Sequence, residues 1–143
     1  MLITHVIRDK GATVHTLSEA ATLEQAAKEL TNRKVGALVI MDDSGRVTGL
    51  LSERDIVREV ARRGAAALAD RVGAAMTRGI ITAEPAETVD EGLARMTDRR
   101  IRHLPVMENG RLAGIISIGD LVKFRIEAVE AEARAMQDYI AAR

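Results

Sequence analysis

The sequence has 143 residues, with 21 basic and 21 acidic side chains, no cysteine, and only one Phe and one Tyr. The balanced charge excludes a bulk field that would draw the protein to nucleic acid or to an anionic membrane. Without cysteine there can be no disulfide, zinc–thiolate site or thiol catalysis. The core must be aliphatic, and a base-stacking platform for single-stranded nucleic acid is not expected.

The N-terminus, "MLITHVIRDKG", has an apolar run too short for a signal peptide, and charge appears by Arg8. No stretch of the sequence approaches the roughly 20 apolar residues that cross a bilayer. We therefore expect a cytoplasmic protein that does not bind membranes.

The chain contains two copies of one pattern. Residues 14–41 align with residues 80–107, and residues 45–57 align with residues 110–122, with one residue lost in the turn between them. Two copies are too few for a solenoid, so the repeat predicts a pair of half-domains.

Each copy predicts the element order β-α-β-β-α, an α+β fold. In the first copy the extended piece "TVHTL" precedes a helix, and Thr22 with Gln25 has the spacing of a capping box. The apolar runs "VGALVIM" and "RVTGLL" follow as strands, joined by a turn rich in Asp, Ser and Gly. A second helix then begins at Ser52.

The second copy repeats this order with "GIITA", a helix capped by Thr88 with Glu91, the strands "IRHLPVM" and "RLAGIIS", and a helix that begins at Ser117. Pro105 cannot donate to a strand ladder, which predicts that its strand is short or lies at an edge.

Four segments are predicted: a first repeat with the N-terminal segment over 1–64, a linker over 65–71, a second repeat over 72–126 and a helical extension over 127–143. Asp70 is predicted to cap a short helix, "RVGAAM". Residues 120–143 contain no Gly and no Pro, and they predict one long helix. Its predicted apolar stripe consists of Leu121, Phe124, Ala128, Ala131, Ala135 and Ile140. We expect this stripe to pack on a second subunit; the alternative is that it folds back over its own module.

"GLLSERDIV" and "GIISIGDLV" place Ser and Asp three residues apart at the start of a helix in both copies. One interpretation is a helix cap, with Ser52 and Ser117 as N-caps and Asp55 and Asp120 in the first turn, favoured by the helix dipole. The other is a ligand site, because a helix N-terminus attracts anions and a carboxylate can accept two hydrogen bonds from a ribose diol. The preceding Gly49 and Gly114 would let such a ligand approach the backbone.

The doubled β-α-β-β-α order, the G-x-x-S-x-x-D pattern in both copies and "RHLPVM" resemble a tandem pair of cystathionine-β-synthase (CBS) domains, a Bateman module of the stand-alone bacterial type. The resemblance covers roughly residues 1–125. It implies that AMP, ADP, ATP, or sometimes NAD(H) or S-adenosylmethionine, binds in the cleft between the copies.

Carried over by position, the resemblance implies two related sites. Their ligand-binding residues would be Thr16, Val35, Gly36, Ala37, Ser52, Arg54, Asp55, Thr82, Ile101, Arg102, His103, Pro105, Ser117, Gly119 and Asp120. The two aspartates would take ribose hydroxyls, the two serines would face ribose or phosphate, and the two threonines would hold the adenine edge or the ribose. Residues 35–37 and 101–103 would line the base pocket.

The two sites should not be equivalent. The first copy has Gly36 and Arg54 where the second has Arg102 and Gly119. The candidates for phosphate charge are Arg54, Arg102 and His103. Apart from the resemblance, a single histidine beside apolar residues is more often structural than ligand-binding.

Other function classes are weaker. The sequence has no HExxH, GxSxG, P-loop or dinucleotide fingerprint and only three histidines, so we predict no enzymatic activity and no catalytic cofactor or metal site. The basic run "TDRRIRH" leaves a nucleic-acid binder open, and the long C-terminal helix leaves a scaffold without a ligand. The favoured prediction is a signal-transduction or energy-sensing module that responds to an adenosine nucleotide. It would form a homodimer or higher homo-oligomer and act through an unidentified protein effector, without nucleic acid or membrane.

Overall fold

The computed structural model describes residues 1–142. The helices and strands, in chain order, are α1 (Ile3–Lys10), β1 (Thr16–Ser18), α2 (Leu23–Arg33), β2 (Ala37–Met41), β3 (Val47–Ser52), α3 (Glu53–Arg63), α4 (Val89–Arg99), β4 (His103–Glu108), β5 (Arg111–Ser117) and α5 (Ile118–Ala141). The predicted order of strands and helices is therefore confirmed, except that the leading strand of the second copy is reduced to a single bridge. Helix α1 is an additional helix.

The chain forms two compact bodies. The first body is Thr13–Ile81, and the second combines Met1–Ala12 with the chain from Thr82 onward. The segments predicted from the repeat, 1–64, 65–71, 72–126 and 127–143, are a different division of the chain and stay a prediction.

The first body has a three-stranded sheet in the order β1-β2-β3. β1 is parallel to β2, and β3 is antiparallel to it. The sheet and its helices bury one aliphatic core, as the lack of aromatic residues predicts. Its buried members are Leu23, Ala26, Leu30, Leu38, Ile40, Leu51, Ile56, Val72, Ala75 and Met76.

The second body has only β4 and β5 as a sheet. The extended piece predicted at residues 79–83 is reduced to one parallel bridge, from Ala83 to Val106. The carbonyl of Pro105 accepts from the Ala83 N–H at 3.0 Å, so the nitrogen of Pro105, which lacks a hydrogen, lies on the side away from β5. β4 is an edge strand of the two-stranded sheet, which agrees with one of the two positions predicted for the strand of Pro105.

The segment that precedes each copy packs on the other copy. Leu2 forms an antiparallel bridge with Thr88, the N-cap of α4, and Arg71 forms one with Thr22, the N-cap of α2. Ile3 and Val6 of α1 are completely or almost completely buried. This exchange explains why the N-terminal residues belong to the body of the second copy.

The prediction that Asp70 caps a helix is wrong. The segment forms two short 3₁₀ turns, Gly64–Ala69 and Val72–Ala74, and the second has no side-chain cap. The Asp70 carboxylate instead forms an ion pair with Arg63, and its carbonyl accepts from the Leu23 N–H at 2.9 Å. Asp70 thus ties the end of α3 to the start of α2.

The long C-terminal helix is confirmed as α5, although position 143 lies outside the described residues. Leu121 is buried, and Phe124 and Ala128 are half-buried. Every residue from Val129 to Ala142 is exposed in the isolated chain, which contradicts the alternative in which this part folds back over its own module.

Candidate ligand-binding site

Both Ser-x-x-Asp segments form reciprocal capping boxes. The Ser52 hydroxyl accepts from the Asp55 N–H at 3.4 Å, and the Asp55 carboxylate accepts from the Ser52 N–H at 2.9 Å. At α5 the corresponding distances are 3.1 Å and 2.8 Å between Ser117 and Asp120. Each pair satisfies two amides that a helix start would otherwise leave without partners, so the capping interpretation is confirmed.

The residue that directly precedes the first strand of each β-hairpin is hydrogen-bonded to the helix start of the same copy. The Gly36 carbonyl accepts from the N–H of Glu53, the first residue of α3, at 3.0 Å, and the Arg102 carbonyl accepts from Ile118 of α5 at 2.8 Å. The structure therefore brings together two sets of predicted site residues. The first set is Gly36, Ala37, Ser52, Arg54 and Asp55; the second is Arg102, His103, Ser117, Gly119 and Asp120.

Asp55 is only 6% exposed and is the one buried charged side chain among residues 1–142. Besides the Ser52 amide, its carboxylate accepts from the Ser52 hydroxyl at 3.2 Å and from the Arg58 guanidinium at 2.9 Å. Arg58 lies one turn later on the same helix and is half-exposed. The first carboxylate is therefore held by α3 and its N-cap, Ser52.

The second carboxylate is held from another helix. Lys10, the last residue of α1, donates to Asp120 Oδ2 at 2.6 Å and to the Ile115 carbonyl at 3.0 Å. Partial burial raises the pKa of Asp120, but the hydrogen bonds from Lys10 and from Ser117 outweigh it and hold the pKa below its ordinary value of 3.8. Asp120 is therefore an anion at neutral pH.

The two carboxylate sites differ in a way that the sequence analysis missed, because Lys10 belongs to the second site. The counterpart of Arg58 in the repeat is Lys123, yet the cation on Asp120 is Lys10, which has no sequence relation to this helix. Only the packing of α1 on the second copy brings the two groups together.

Replacing Lys10 with methionine should lower the free energy of unfolding by about 1 kcal/mol at neutral pH, the upper range for a partly exposed ion pair. Because folding lowers the pKa of Asp120, this contribution is fully present above pH 3.8 and is lost as the pH falls through the folded-state pKa. Urea unfolding at neutral pH and at several points below pH 3.8 measures it.

The control is Lys28→Met, which removes a more exposed ion pair with Glu24 at 3.6 Å. It should change stability by less than Lys10→Met at neutral pH. A Lys10→Met effect that stays constant down to the lowest pH would contradict the assigned ion pair.

Gly49 and Gly114 have a packing role that the sequence analysis did not predict. A Cβ on Gly49 would lie 2.6 Å from Met76 Sδ and 2.8 Å from the Thr77 carbonyl oxygen, and one on Gly114 would lie 2.6 Å from Ile7 Cδ1. The expectation that these glycines admit a ligand is wrong, because each admits the segment that precedes the other copy.

A groove of about 470 Å³ lies on the first body, between α2 and α3. Its lining is Ala27, Leu30, Thr31, Lys34, Val35, Gly36, Glu53, Ile56 and Val57. Two predicted base-pocket residues, Val35 and Gly36, are in this wall, but Asp55 is not. At 100° per residue, Asp55 lies on the face of α3 opposite Glu53 and Val57, so this groove is separate from the carboxylate.

The remaining predicted residues lie farther along the strands. Thr16 is exposed in β1 opposite Val39, and Pro105 is buried in β4. The Thr82 carbonyl accepts from Arg95 at 2.9 Å. The half-buried Ile101 donates its N–H to the Met96 carbonyl at 3.0 Å, as part of the turn that ends α4.

Arg95 also forms two hydrogen bonds with Glu87, at 2.7 Å and 2.8 Å. The hydrogen bond from this guanidinium holds the pKa of Glu87 below its ordinary value. The pair fixes the extended segment around Thr82 to α4 and has no counterpart in the first copy, where Glu29 and Ala21 occupy the equivalent positions.

Residues 1–142 contain no group of three or more His, Cys, Asp or Glu side chains placed to hold a metal ion. None of the helices within the same residues is both long enough and apolar enough to cross a bilayer.

Solved structures with the same fold include a CBS-domain protein from Agrobacterium tumefaciens. It is 44% identical, with a TM-score of 0.85 over 87% of this chain and 92% of that one. A CBS-domain protein from Pyrobaculum aerophilum, solved in complex with AMP, is 29% identical, with a TM-score of 0.75 over 84% of this chain and 89% of that one.

Among curated proteins, the mitochondrial CBS domain-containing protein CBSX3 of Arabidopsis thaliana is 33% identical over 123 residues. The match covers 83% of this chain but 60% of that protein, so the chain spans less than two thirds of its relative's length. The family model of the CBS domain matches residues 8–62 and again residues 72–127. The chain therefore belongs to the CBS-domain family and carries two copies of the domain.

Proposed function

We propose that this protein is a non-catalytic regulatory module that binds an adenosine nucleotide at the capped starts of α3 and α5. Candidate ligands are AMP, ADP, ATP and NAD(H). The proposal is supported by the AMP complex of the Pyrobaculum aerophilum relative and by the carboxylate that each helix start holds in its first turn.

The observation that carries the proposal is that the same constellation is built twice with different supporting cations. A helix cap needs only the Ser–Asp exchange, which both copies have. Placing a cation on each carboxylate, Arg58 in one copy and Lys10 in the other, goes beyond what a cap requires. Cations beside a ribose-binding carboxylate would also attract the phosphate.

In this proposal each carboxylate accepts hydrogen bonds from the ribose diol. Two of the first three helix amides are used within the chain, by Gly36 or Arg102 and by the capping serine. The amide of Arg54 or Gly119 is then the donor for a phosphate oxygen, assisted by the positive end of the helix. Arg54, Arg102, His103 and Lys10 would supply the charge.

Binding would act as a signal by favouring one conformation or assembly state over another. A ligand shifts such an equilibrium only through its different affinities for the two states. An unidentified protein effector in the cytoplasm would receive the output. The first carboxylate is the more completely enclosed, so we expect the second site to bind first.

The second candidate function is a scaffold without a ligand. It is favoured by the exposed half of α5 from Val129 onward and by the capping boxes, which are complete without any ligand.

A thermal-shift screen distinguishes the two functions. Ligand-free protein is heated with AMP, ADP, ATP, NAD, NADH or S-adenosylmethionine, with GMP as the control. A ligand at 100 times its dissociation constant stabilises the folded state by about 2.7 kcal/mol, which raises the melting temperature by several degrees. A rise with adenosine compounds and not with GMP is the expected result. Equal midpoints with every compound would favour the scaffold.

A further inference from the structure

Helix α5 carries a row of exposed side chains along one line of its surface. They are Val122, Ile126, Val129, Ala133, Met136 and Ile140, and they follow one another at alternating steps of four and three residues. All six are exposed, and the five larger ones are between 42% and 62% exposed. We call these six residues the outer seam.

The outer seam is not the stripe that the sequence analysis predicted. Leu121, Phe124 and Ala128 of that stripe are the residues by which α5 packs on its own body, since they are buried or half-buried. The outer seam is offset from them by roughly 130° around the helix axis and continues along nearly the full length of the helix.

Steps of four and three residues are the a and d positions of a heptad repeat, which produce a seam between two supercoiled helices. Val122, Val129 and Met136 take d positions, and Ile126, Ala133 and Ile140 take a positions. An average period of 3.5 residues keeps such a row facing one partner helix over its whole length. The natural occupant is another helix with the same repeat.

The charges beside the seam select a second copy of α5 in parallel orientation. In a parallel pair each g residue faces the e residue five positions later on the partner. Arg125 at g would face the partner's Glu130 at e, and Glu132 at g would face the partner's Gln137. By symmetry both contacts form twice, and both are favourable. Among residues 1–142, Arg125 forms a long, exposed ion pair with Asp90, at 3.7 Å.

The antiparallel arrangement is disfavoured by the same charges. Full overlap of the six seam residues would be centred on residue 131, with 129 opposite 133 and 126 opposite 136. In this arrangement the e positions of the two helices face each other on one side of the seam, and the g positions face each other on the other side. Residue 130 is the e position nearest the centre, and residue 132 is the nearest g position. Glu130 would face Glu130, and Glu132 would face Glu132, which repel each other.

We therefore propose that two copies of this chain associate through the outer seams of their α5 helices, as a parallel two-stranded coiled coil over residues 122–140. This assembly goes beyond the proposed nucleotide binding and does not depend on it.

The test compares two identical substitutions on one helix. Ala133 is in the outer seam and Ala131 is two residues away at an f position; both are exposed alanines in the middle of α5. Ala133→Glu places a charge in the interface and should raise the dimer dissociation constant roughly a hundredfold or more. Ala131→Glu should leave it nearly unchanged. Light scattering of the full chain over a dilution series gives both constants, and circular dichroism shows that both variants fold.

A wild-type chain that stays monomeric throughout the series would overturn the proposal. So would Ala133→Glu and Ala131→Glu dissociating equally, because the outer seam would then have no special role.

The orientation has its own test, made clean by the absence of cysteine from the sequence. In a parallel dimer Ala133→Cys places the two thiols opposite each other, within the short distance that a disulfide spans, and oxidation should cross-link the dimer. In the antiparallel pair Ala133 faces Val129 instead. Two results together would overturn the parallel orientation. Ala133→Cys would fail to cross-link the dimer, and the double variant Val129→Cys, Ala133→Cys would cross-link it.

Discussion

Asp120→Ala should weaken the binding of an adenosine nucleotide at the second site by roughly 100-fold. In the proposed complex the carboxylate accepts two hydrogen bonds from the ribose diol, and each hydrogen bond to a charged group contributes about 1.5–3 kcal/mol to the binding free energy. In the variant, water replaces part of this contribution, and the remaining loss corresponds to roughly 100-fold in affinity. The structure keeps this carboxylate ionised through Lys10 and Ser117, so it is available as an acceptor at neutral pH. A titration of the variant with AMP or ATP measures the loss.

The same substitution removes a helix cap, so a matched variant is needed. Ser117→Ala removes the hydroxyl that accepts from the Asp120 amide but leaves the carboxylate, and it should cost about 1 kcal/mol of stability. If Asp120 acts only as a cap, both variants will lose stability and both will keep the ligand-induced rise in melting temperature. That result would contradict a ligand role for Asp120.

Asp55→Ala should have the same effect at the first site but is a less clean test. Asp55 is buried and paired with Arg58, so its removal also leaves polar groups of Ser52 and Arg58 without their acceptor. We expect a larger loss of stability than for Asp120→Ala, which makes α5 the better helix for separating binding from folding.

Gly49→Ala should lower the free energy of unfolding by about 3 kcal/mol, at the upper end of the cost of overpacking a core. Its new Cβ would lie 2.8 Å from the Thr77 carbonyl oxygen, which is backbone and hydrogen-bonded to the Leu50 N–H at 3.0 Å. Met76 Sδ, at 2.6 Å, would also have to move. Denaturant unfolding at neutral pH measures the loss.

Two other glycines serve as graded controls. Gly114 is the equivalent of Gly49, but its Cβ would meet the terminal methyl group of Ile7, which can rotate away, so Gly114→Ala should cost about 1 kcal/mol. Gly119 has nothing nearer than 3.6 Å, and Gly119→Ala in a helix should be neutral or stabilising by up to roughly 0.5 kcal/mol. Equal effects at Gly49 and Gly119 would contradict the packing role.

The parts of the fold that depend on local patterns were predicted from the sequence. The capping boxes at Thr22 and Thr88 have the expected exchange of hydrogen bonds, because such a motif involves residues only three apart. The strand pairs and the helix starts at Ser52 and Ser117 followed from alternation of apolar runs with turn residues, and the duplication gave each pattern a second, independent occurrence.

The parts that depend on contacts distant in the sequence were not predicted. Lys10 reaches Asp120 across 110 residues, and Gly114 makes room for Ile7 of the same helix. Both contacts arise because each copy packs with the segment that precedes the other, and no local pattern in α1 records its partner. The prediction for Asp70 failed for a related reason, since its carboxylate had a stronger partner in Arg63 than the backbone of a short turn.

The candidate site was predicted in part. The residues at the two helix starts are together, as expected from the doubled motif, while Val35 lies in a groove on the face of α3 away from Asp55. A motif can specify which residues begin a helix, but the face on which each later residue lies depends on how the strand enters it.

The most direct test of nucleotide binding is a calorimetric titration of AMP and of ATP into the ligand-free protein and into the double variant Asp55→Ala, Asp120→Ala, with the fold of the variant verified by circular dichroism. Saturable heat for the native chain and none for the folded double variant is the result that we expect. Equal binding by the two proteins would contradict the assignment of the ligand to the starts of α3 and α5.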